Sequence, residues 1–403
     1  MTVGVLFSSP AHWESGSAPA LCIFVRNYFD VAAACGRRAA DAAMAELRLR
    51  AQAALGDERI DVECDGAHLR ISPDSGSGLT ELRGRSEALL VALGRDPAVI
   101  DGDSILLALS VANEDAPAPP DGCYLLASES ARCTFLSLMK DAVSAFEAMN
   151  DGRLALAFQP VRAADGEDLL YWEALARVVP ADSRREVVSP GQFVPAIEAL
   201  GLSRLFDRFV VLKTIETLRA NPCGRIGCNV SAQSVVDDEY WVSVLDELAA
   251  APEVAARLVI EITETALLAD MEVAQRLVAR LKHLGCQVAL DDFGAGHSSI
   301  AQSLALRPDI IKIDRLFLRE AVGQVFGGEL LVGLVDLCNC LAGQVVVEGI
   351  EDERDLVFAH RAGARWVQGY HVAAPSIARP FAQAEAQLDL TARQASYGGG
   401  LHL

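Results

Sequence analysis

The sequence predicts an α/β protein: a TIM-type (β/α)8 barrel preceded by a smaller α+β domain. Three observations carry this. The chain is 403 residues long, more than a barrel of roughly 250 residues requires. From residue 154 onward, short apolar segments alternate with amphipathic helical runs, the pattern of a parallel sheet wrapped by helices. Nearly every one of those segments has a polar residue near its C-terminal end, the rim at which barrels of this kind carry their active sites. An open doubly wound sheet also fits the alternation, but no GxGxxG follows the first strand.

Composition supports a packed core, with 51% hydrophobic and 22% charged residues. The formal net charge of −20 speaks against binding a nucleic-acid polymer, which needs a basic footprint. An anionic substrate would have to be met by local cations or metals. The 10 cysteines form no CxxC pair. They are expected as reduced packing thiols of a cytoplasmic protein. Residues 1–20 lack a basic start and a long apolar run, and no stretch of about 18 apolar residues occurs, so no membrane insertion is expected.

Taken in order, residues 1–145 are assigned to the first domain, 146–390 to the barrel and 391–403 to a flexible tail. The Pro/Asp/Gly run at 113–122 reads as a loop, and 135–152 as a connecting helix closed by Asn-Asp-Gly. The expected strands are 154–161, 169–178, 225–231, 258–264, 287–293, 309–314, 345–350 and 366–372. Helical runs separate most of them; 270–285, for example, ends on glycine.

A strand buried on both faces should be apolar throughout, yet these carry Glu173, Asn229, Glu261, Asp291, Asp292, Lys312, Glu348 and Gln368. Glu261 is out of phase with Ile260 and Ile262, and Asp291 with Val288 and Leu290, so both are expected to point into the barrel. Carboxylates gathered at one spot repel one another and resist burial. Divalent cations resolve the conflict, and Asp291 can bridge two of them. Oxygen donors without His or Cys favour Mg²⁺ or Mn²⁺ over zinc. Two such ions suit in-line attack of water on a phosphodiester.

Several motifs in order resemble the EAL-domain cyclic di-GMP phosphodiesterases: FQP (158–160), YWEALAR (171–177), NVS (229–231), EITE (261–264), DDFGAGHSS (291–299), KID (312–314), VEGIE (347–351) and QGY (368–370). The resemblance spans about residues 150 to 385. It implies a barrel that linearises cyclic di-GMP to 5′-pGpG with two Mg²⁺ or Mn²⁺ ions, as a homodimer through the EAL domain. Carried over by motif, Glu173, Asn229, Glu261 and Asp291 hold the first ion, and Asp291 and Asp292 the second. Glu348 touches the attacking water or the second ion. Lys312 orients or deprotonates that water; an ammonium beside metal-bound hydroxide has a depressed pKa, and an ion pair to Asp314 or a neighbour is its plain structural alternative. Glu264 anchors the loop after Asp292, whose hinges would be Gly294 and Gly296. Gln159, Leu175, Arg177, Asp314 and Gln368 meet the substrate or support the site. His297, Ala295 and Trp172 depart from the family pattern, though none removes a metal ligand. Asp292-Phe293-Gly294 also mimics a kinase motif, without the other kinase signatures.

The first domain resembles a degenerate GGDEF domain. VRNYF (25–29) stands where that family has D-x-D-x-F, GRRAADAAM (36–44) echoes its helix motif, CDGAHLRI (64–71) occupies the signature position and ILLALSVAN (105–113) the late strand. With the metal-binding acids replaced, the resemblance implies regulation or dimerisation, not synthesis. An unrelated α+β sensor fits too, and His68 reads as an ordinary histidine. For the barrel, the alternatives to hydrolysis are an idle cyclic di-GMP receptor and a protein-interaction scaffold.

Overall fold

The computed structural model describes residues 20–56, 60–73, 76–112, 128–166, 168–182, 184–222, 224–263, 268, 270–295, 300–323 and 327–377. The expected 113–122 loop, Glu264, Gly296, His297 and the 391–403 tail lie outside them. Among the described residues no helix is long and apolar enough to cross a membrane. The chain packs as two compact units: one reaches Arg153 and includes Pro180–Arg184 and Gly191–Phe206, the other holds Leu154–Val179, Arg185–Pro190 and the chain from Asp207.

The first unit is α+β. Its strands are β1 (Leu21–Val25), β2 (Ile60–Asp65), β3 (His68–Pro73), β4 (Ala98–Ile100), β5 (Asp103–Ile105) and β6 (Leu109–Ala112). Four of them make an antiparallel sheet in the order β2-β3-β1-β6, and β4 and β5 form a separate hairpin. The helix Arg37–Leu55 buries Ala40, Ala43, Met44, Leu47, Ala51 and Leu55, a stripe at helical spacing. The CDGAHLRI segment lies in the β2–β3 hairpin. Asn27, just past β1, donates from Nδ2 to Leu106 O (3.0 Å) and accepts from Ala108 N (2.9 Å) at Oδ1. Its amide thus satisfies buried backbone on both sides, which a carboxylate could not do. The connecting helix is longer than expected, Glu129–Asn150, because Ser128 caps it by accepting from Ala131 N.

The second unit is a closed barrel. Its strands are β7 (Leu154–Ala163), β8 (Leu169–Val178), β9 (Ile226–Ser231), β10 (Leu258–Thr263), β11 (Gln287–Phe293), β12 (Ile310–Ile313), β13 (Gln344–Val347) and β14 (Trp366–Val367). They close in the order β10-β11-β12-β13-β14-β7-β8-β9. The expectation of an all-parallel sheet is corrected at one strand: β7 runs antiparallel to both β8 and β14. Only residues 164–168 join β7 to β8, too few for the crossover of a dozen or more residues that parallel neighbours need. The expected strand 366–372 also stops early. Gly369 packs directly on the Ile350 backbone, where a Cβ would come within 2.2 Å of Ile350 O, and the chain turns there.

Inside the barrel the side chains follow a simple rule. Val161, Tyr171, Val259, Ala289, Ile310, Val346 and Trp366 pack together as an apolar floor. Two residues further along each parallel strand, in phase with the floor, stand Glu173, Glu261, Asp291, Lys312, Glu348 and Gln368. On the reversed strand β7 the order inverts, and Gln159 precedes Val161. The alternate residues Ile311, Ile313, Val345 and Val347 face outward and pack with helix residues such as Leu318, Leu331 and Val335. Ile310→Ala, which opens a hole in the floor, should lower the unfolding free energy by about 2–5 kcal/mol; urea denaturation should show an earlier midpoint at unchanged slope.

Candidate active site

The polar layer converges on one lysine. Lys312 is fully buried (0% exposed), with Nζ 2.8 Å from Glu261 Oε2, 2.8 Å from Glu348 Oε1, 3.0 Å from Asp291 Oδ1 and 3.2 Å from Glu173 Oε2. Glu173 is the best satisfied of the four carboxylates. It accepts from Asn229 Nδ2 at 2.7 Å and from Gln368 Nε2 at 2.5 Å. Gln368 also reaches Gln159 Oε1 (3.4 Å), and Gln159 Nε2 donates to Ala373 O (3.0 Å). These side chains come from the six strands β7 to β12 and, for Glu348 and Gln368, from the residues just past β13 and β14.

The adjacent aspartates are explained by backbone geometry. In a regular strand, consecutive side chains face opposite sides. Here the pairing of β11 with β12 slips between Leu290 and Phe293: Leu290 pairs with Ile311 and Phe293 with Ile313. Asp291 and Asp292 therefore oppose the single residue Lys312, as in a β-bulge. Asp292 takes a φ of +55°, a left-handed conformation that Asp tolerates better than most residues. The bulge lets both carboxylates serve the same rim.

Burial and like charge set the ionisation. Glu261 is pushed up to about 8, chiefly by burial, against the pull of Lys312 and with repulsion from Glu173 and Asp291. Asp292 rises to about 7, through burial first and then the charge of Asp291; a hydrogen bond with Asp314 adds to the rise. Asp291 and Glu348 are also raised, burial being the main cause. Glu173 goes the other way. Burial works against it, but Lys312 and the hydrogen bonds from Gln368, Asn229 and Lys312 hold it below the usual carboxylate range. Burial disfavours the charge of Lys312, yet Asp291, Glu173, Glu261 and Glu348 outweigh it and hold the ammonium well above its ordinary value. That is the state of the cation-free site, in which the ion pairs of Lys312 are with neighbouring carboxylates and not with Asp314.

The donors fit a hard dication. Two sets of carboxylates, Glu173 with Glu261 and Asp291, and Asp291 with Asp292 and Glu348, each place one oxygen per residue within 4.8 Å of the others. Asp291 belongs to both. Glu261 Oε1 and Asn229 Oδ1 are buried without a hydrogen-bond partner among the described residues, a state that costs stability unless a ligand satisfies them. All ligand atoms are oxygen, as Mg²⁺-class cations prefer.

Of the other expected residues, Leu175 and Arg177 share the inward phase of β8 with Glu173 and are half-buried. Arg177 Nη1 donates to Ala176 O at 2.9 Å. Asp314 accepts from Leu316 N at 2.7 Å and so caps the helix Arg315–Gly323. Reading only the polar residues missed Tyr171 and Gly227. Tyr171, two residues before Glu173 and fully buried, donates to Glu261 Oε2 at 3.2 Å; burial and the carboxylates push its phenol well above the usual value. Gly227 stands two residues before Asn229, in the same inward phase. The signal was the same period of two, extended one step toward the apolar end of each strand.

The EAL domain family matches residues 142–375, more than half of the chain. The chain belongs to the EAL domain family. This EAL protein is 30% identical over 233 residues to the cyclic di-GMP phosphodiesterase PdeF of Escherichia coli, a match covering 57% of this chain and 31% of PdeF. The chain thus spans about a third of the curated relative's length. Among solved structures, the PaMucR phosphodiesterase in complex with c-di-GMP is 26% identical, with a TM-score of 0.54 over 59% of this chain and 98% of that one. The S helix-GGDEF-EAL structure of Vibrio cholerae LapD covers 89% of each chain at a TM-score of 0.53 and 17% identity, a likeness of fold alone.

The sign of the pH dependence follows from Glu261. Its folded pKa of about 8 exceeds the ordinary 4.5, so between those values the folded state holds a proton that the unfolded chain has lost. Stability of the cation-free protein should therefore fall as pH rises through that window. Denaturation in EDTA from pH 5 to 8 measures the slope, and Glu261→Gln should reduce it by about one proton.

Proposed function

We propose that this EAL domain is a phosphodiesterase that hydrolyses cyclic di-GMP to linear 5′-pGpG with two Mg²⁺ or Mn²⁺ ions. The observation that carries the reading is the pair of carboxylate sets joined at Asp291. An idle receptor or scaffold has no use for such a set, whose members cost stability when left without a cation. PdeF and PaMucR, named for this activity or substrate, support the same reading.

Glu173, Asn229, Glu261 and Asp291 would hold one ion, and Asp291, Asp292 and Glu348 the other. Bound there, the ions would supply Lewis acidity, making water a better nucleophile and offsetting charge on the phosphodiester. The protein's own groups do the rest. Lys312, within 2.8 to 3.2 Å of four of these carboxylates, would orient the attacking water or take its proton. Glu348, half-buried and 2.8 Å from Lys312 Nζ, would touch that water from the side of the second ion. The water oxygen bonds to phosphorus, the bond from phosphorus to the 3′ oxygen breaks, and that oxygen leaves with a proton. Gln159 and Gln368 keep Glu173 oriented. Leu175 and Arg177 line the way in, and Arg177 can pair with a phosphate oxygen. Glu264 anchors the loop after Asp292 in this reading, and Asp314 contributes to the substrate side.

The same reading includes a homodimer through the barrel. Exposed Ile300, Leu304 and Leu316, on the helices Ile300–Leu306 and Arg315–Gly323, support it. The first unit is read as regulatory, since Asn27 occupies the expected acid position and is engaged with backbone.

Glu173→Ala should reduce pGpG formation from cyclic di-GMP and Mn²⁺ by at least about a hundredfold, with the circular dichroism spectrum unchanged. Wild-type protein that binds cyclic di-GMP without yielding pGpG would make this a receptor instead, and turnover by the variant at the wild-type rate would refute the ligand assignment.

A further inference from the structure

Tyr171 lies beneath the carboxylates as part of the apolar floor, fully buried and packed with Val161, Val259 and Ala289. Its hydroxyl donates to Glu261 Oε2 at 3.2 Å, and Lys312 Nζ reaches the same oxygen at 2.8 Å. The other oxygen, Oε1, is buried and has no hydrogen-bond partner among the described residues. A Cβ on Gly227 would stand 2.1 Å from that Oε1 and 2.7 Å from the Tyr171 ring. The carboxylate tip and the phenol ring thus share the space above a single glycine.

We infer that Tyr171 is a positioning residue for Glu261: its hydroxyl holds one carboxylate oxygen so that the other stays open to a divalent cation, and glycine at 227 is the clearance this arrangement requires. The inference rests on Glu261 being a cation ligand, as in the function proposed above. Lys312 and Tyr171 grip the same oxygen by different means. The ammonium is repelled when a dication arrives at the same carboxylates, whereas a neutral hydroxyl is not. Tyr171 is therefore the contact that persists when a cation binds. Its ring is fixed by packing, so the hydroxyl is held in place without further ordering. The chain needs both halves: a tyrosine large enough to reach Glu261 from the floor, and a neighbouring strand with no side chain at Gly227, the residue paired with Glu173.

The test is Mn²⁺ titration of the full chain by calorimetry, beside thermal unfolding in EDTA. Tyr171→Phe keeps the ring and removes only the hydroxyl. It should weaken Mn²⁺ binding roughly tenfold or more, the usual effect of losing a partner of a metal ligand, with little change in melting temperature. Gly227→Ala should approach the loss shown by Glu261→Gln. Tyr171→Phe that binds Mn²⁺ as tightly as wild type, whether or not it melts earlier, overturns the inference while the proposed activity stands. Wild-type protein that binds no Mn²⁺ overturns both. Should Gly227→Ala not fold, Tyr171→Phe alone decides.

Discussion

One buried ammonium surrounded by four carboxylates is the constraint on which the barrel interior depends. Lys312 cannot neutralise Glu173, Glu261, Asp291 and Glu348 together, and Asp292 adds a fifth acid at the bulge. The surplus negative charge is carried by buried and half-buried side chains. Burying ions is costly unless partners compensate, and the four acids that are incompletely partnered respond by holding protons more tightly. Glu173, with donors from three residues, is the exception. The polar layer is thus partly compensated by the protein and partly left for something else to complete.

The apolar floor makes this layer tolerable. Val259, Ala289, Ile310 and Val346 seal the barrel beneath the acids, while the outward residues of the same strands pack under the helices. Charge is confined to one level, and the closure of the barrel does not rely on it. The floor and the site are also linked: Tyr171 belongs to the first by its ring and to the second by its hydroxyl.

Much of this was legible in the sequence because a strand has a period of two. Glu261 and Asp291 break an apolar run in the inward phase, and the structure brings them together with Glu173, Lys312 and Glu348 as the phase requires. Legibility ended where the backbone departs from that period. The bulge at Asp291–Asp292 depends on pairing with β12, which no local residue signals. The ionisation of Lys312 in the cation-free site depends on four partners far apart in the chain. Gly227 carries no side chain to announce itself, and its meaning appears only against Tyr171 and Glu261. The antiparallel β7 could have been foreseen, since the short link at 164–168 excludes a helix. In the first unit, the service of the Asn27 amide to Leu106 and Ala108 required the fold.

The reversal of β7 also decides where the polypeptide joins the barrel. In an all-parallel arrangement the first strand would start at the floor, on the face away from the acids. Here Leu154, the first residue of β7, pairs with Val178, the last of β8. Strand β7 therefore begins at the rim that carries the acids. Gln159 lies five residues further along the same strand.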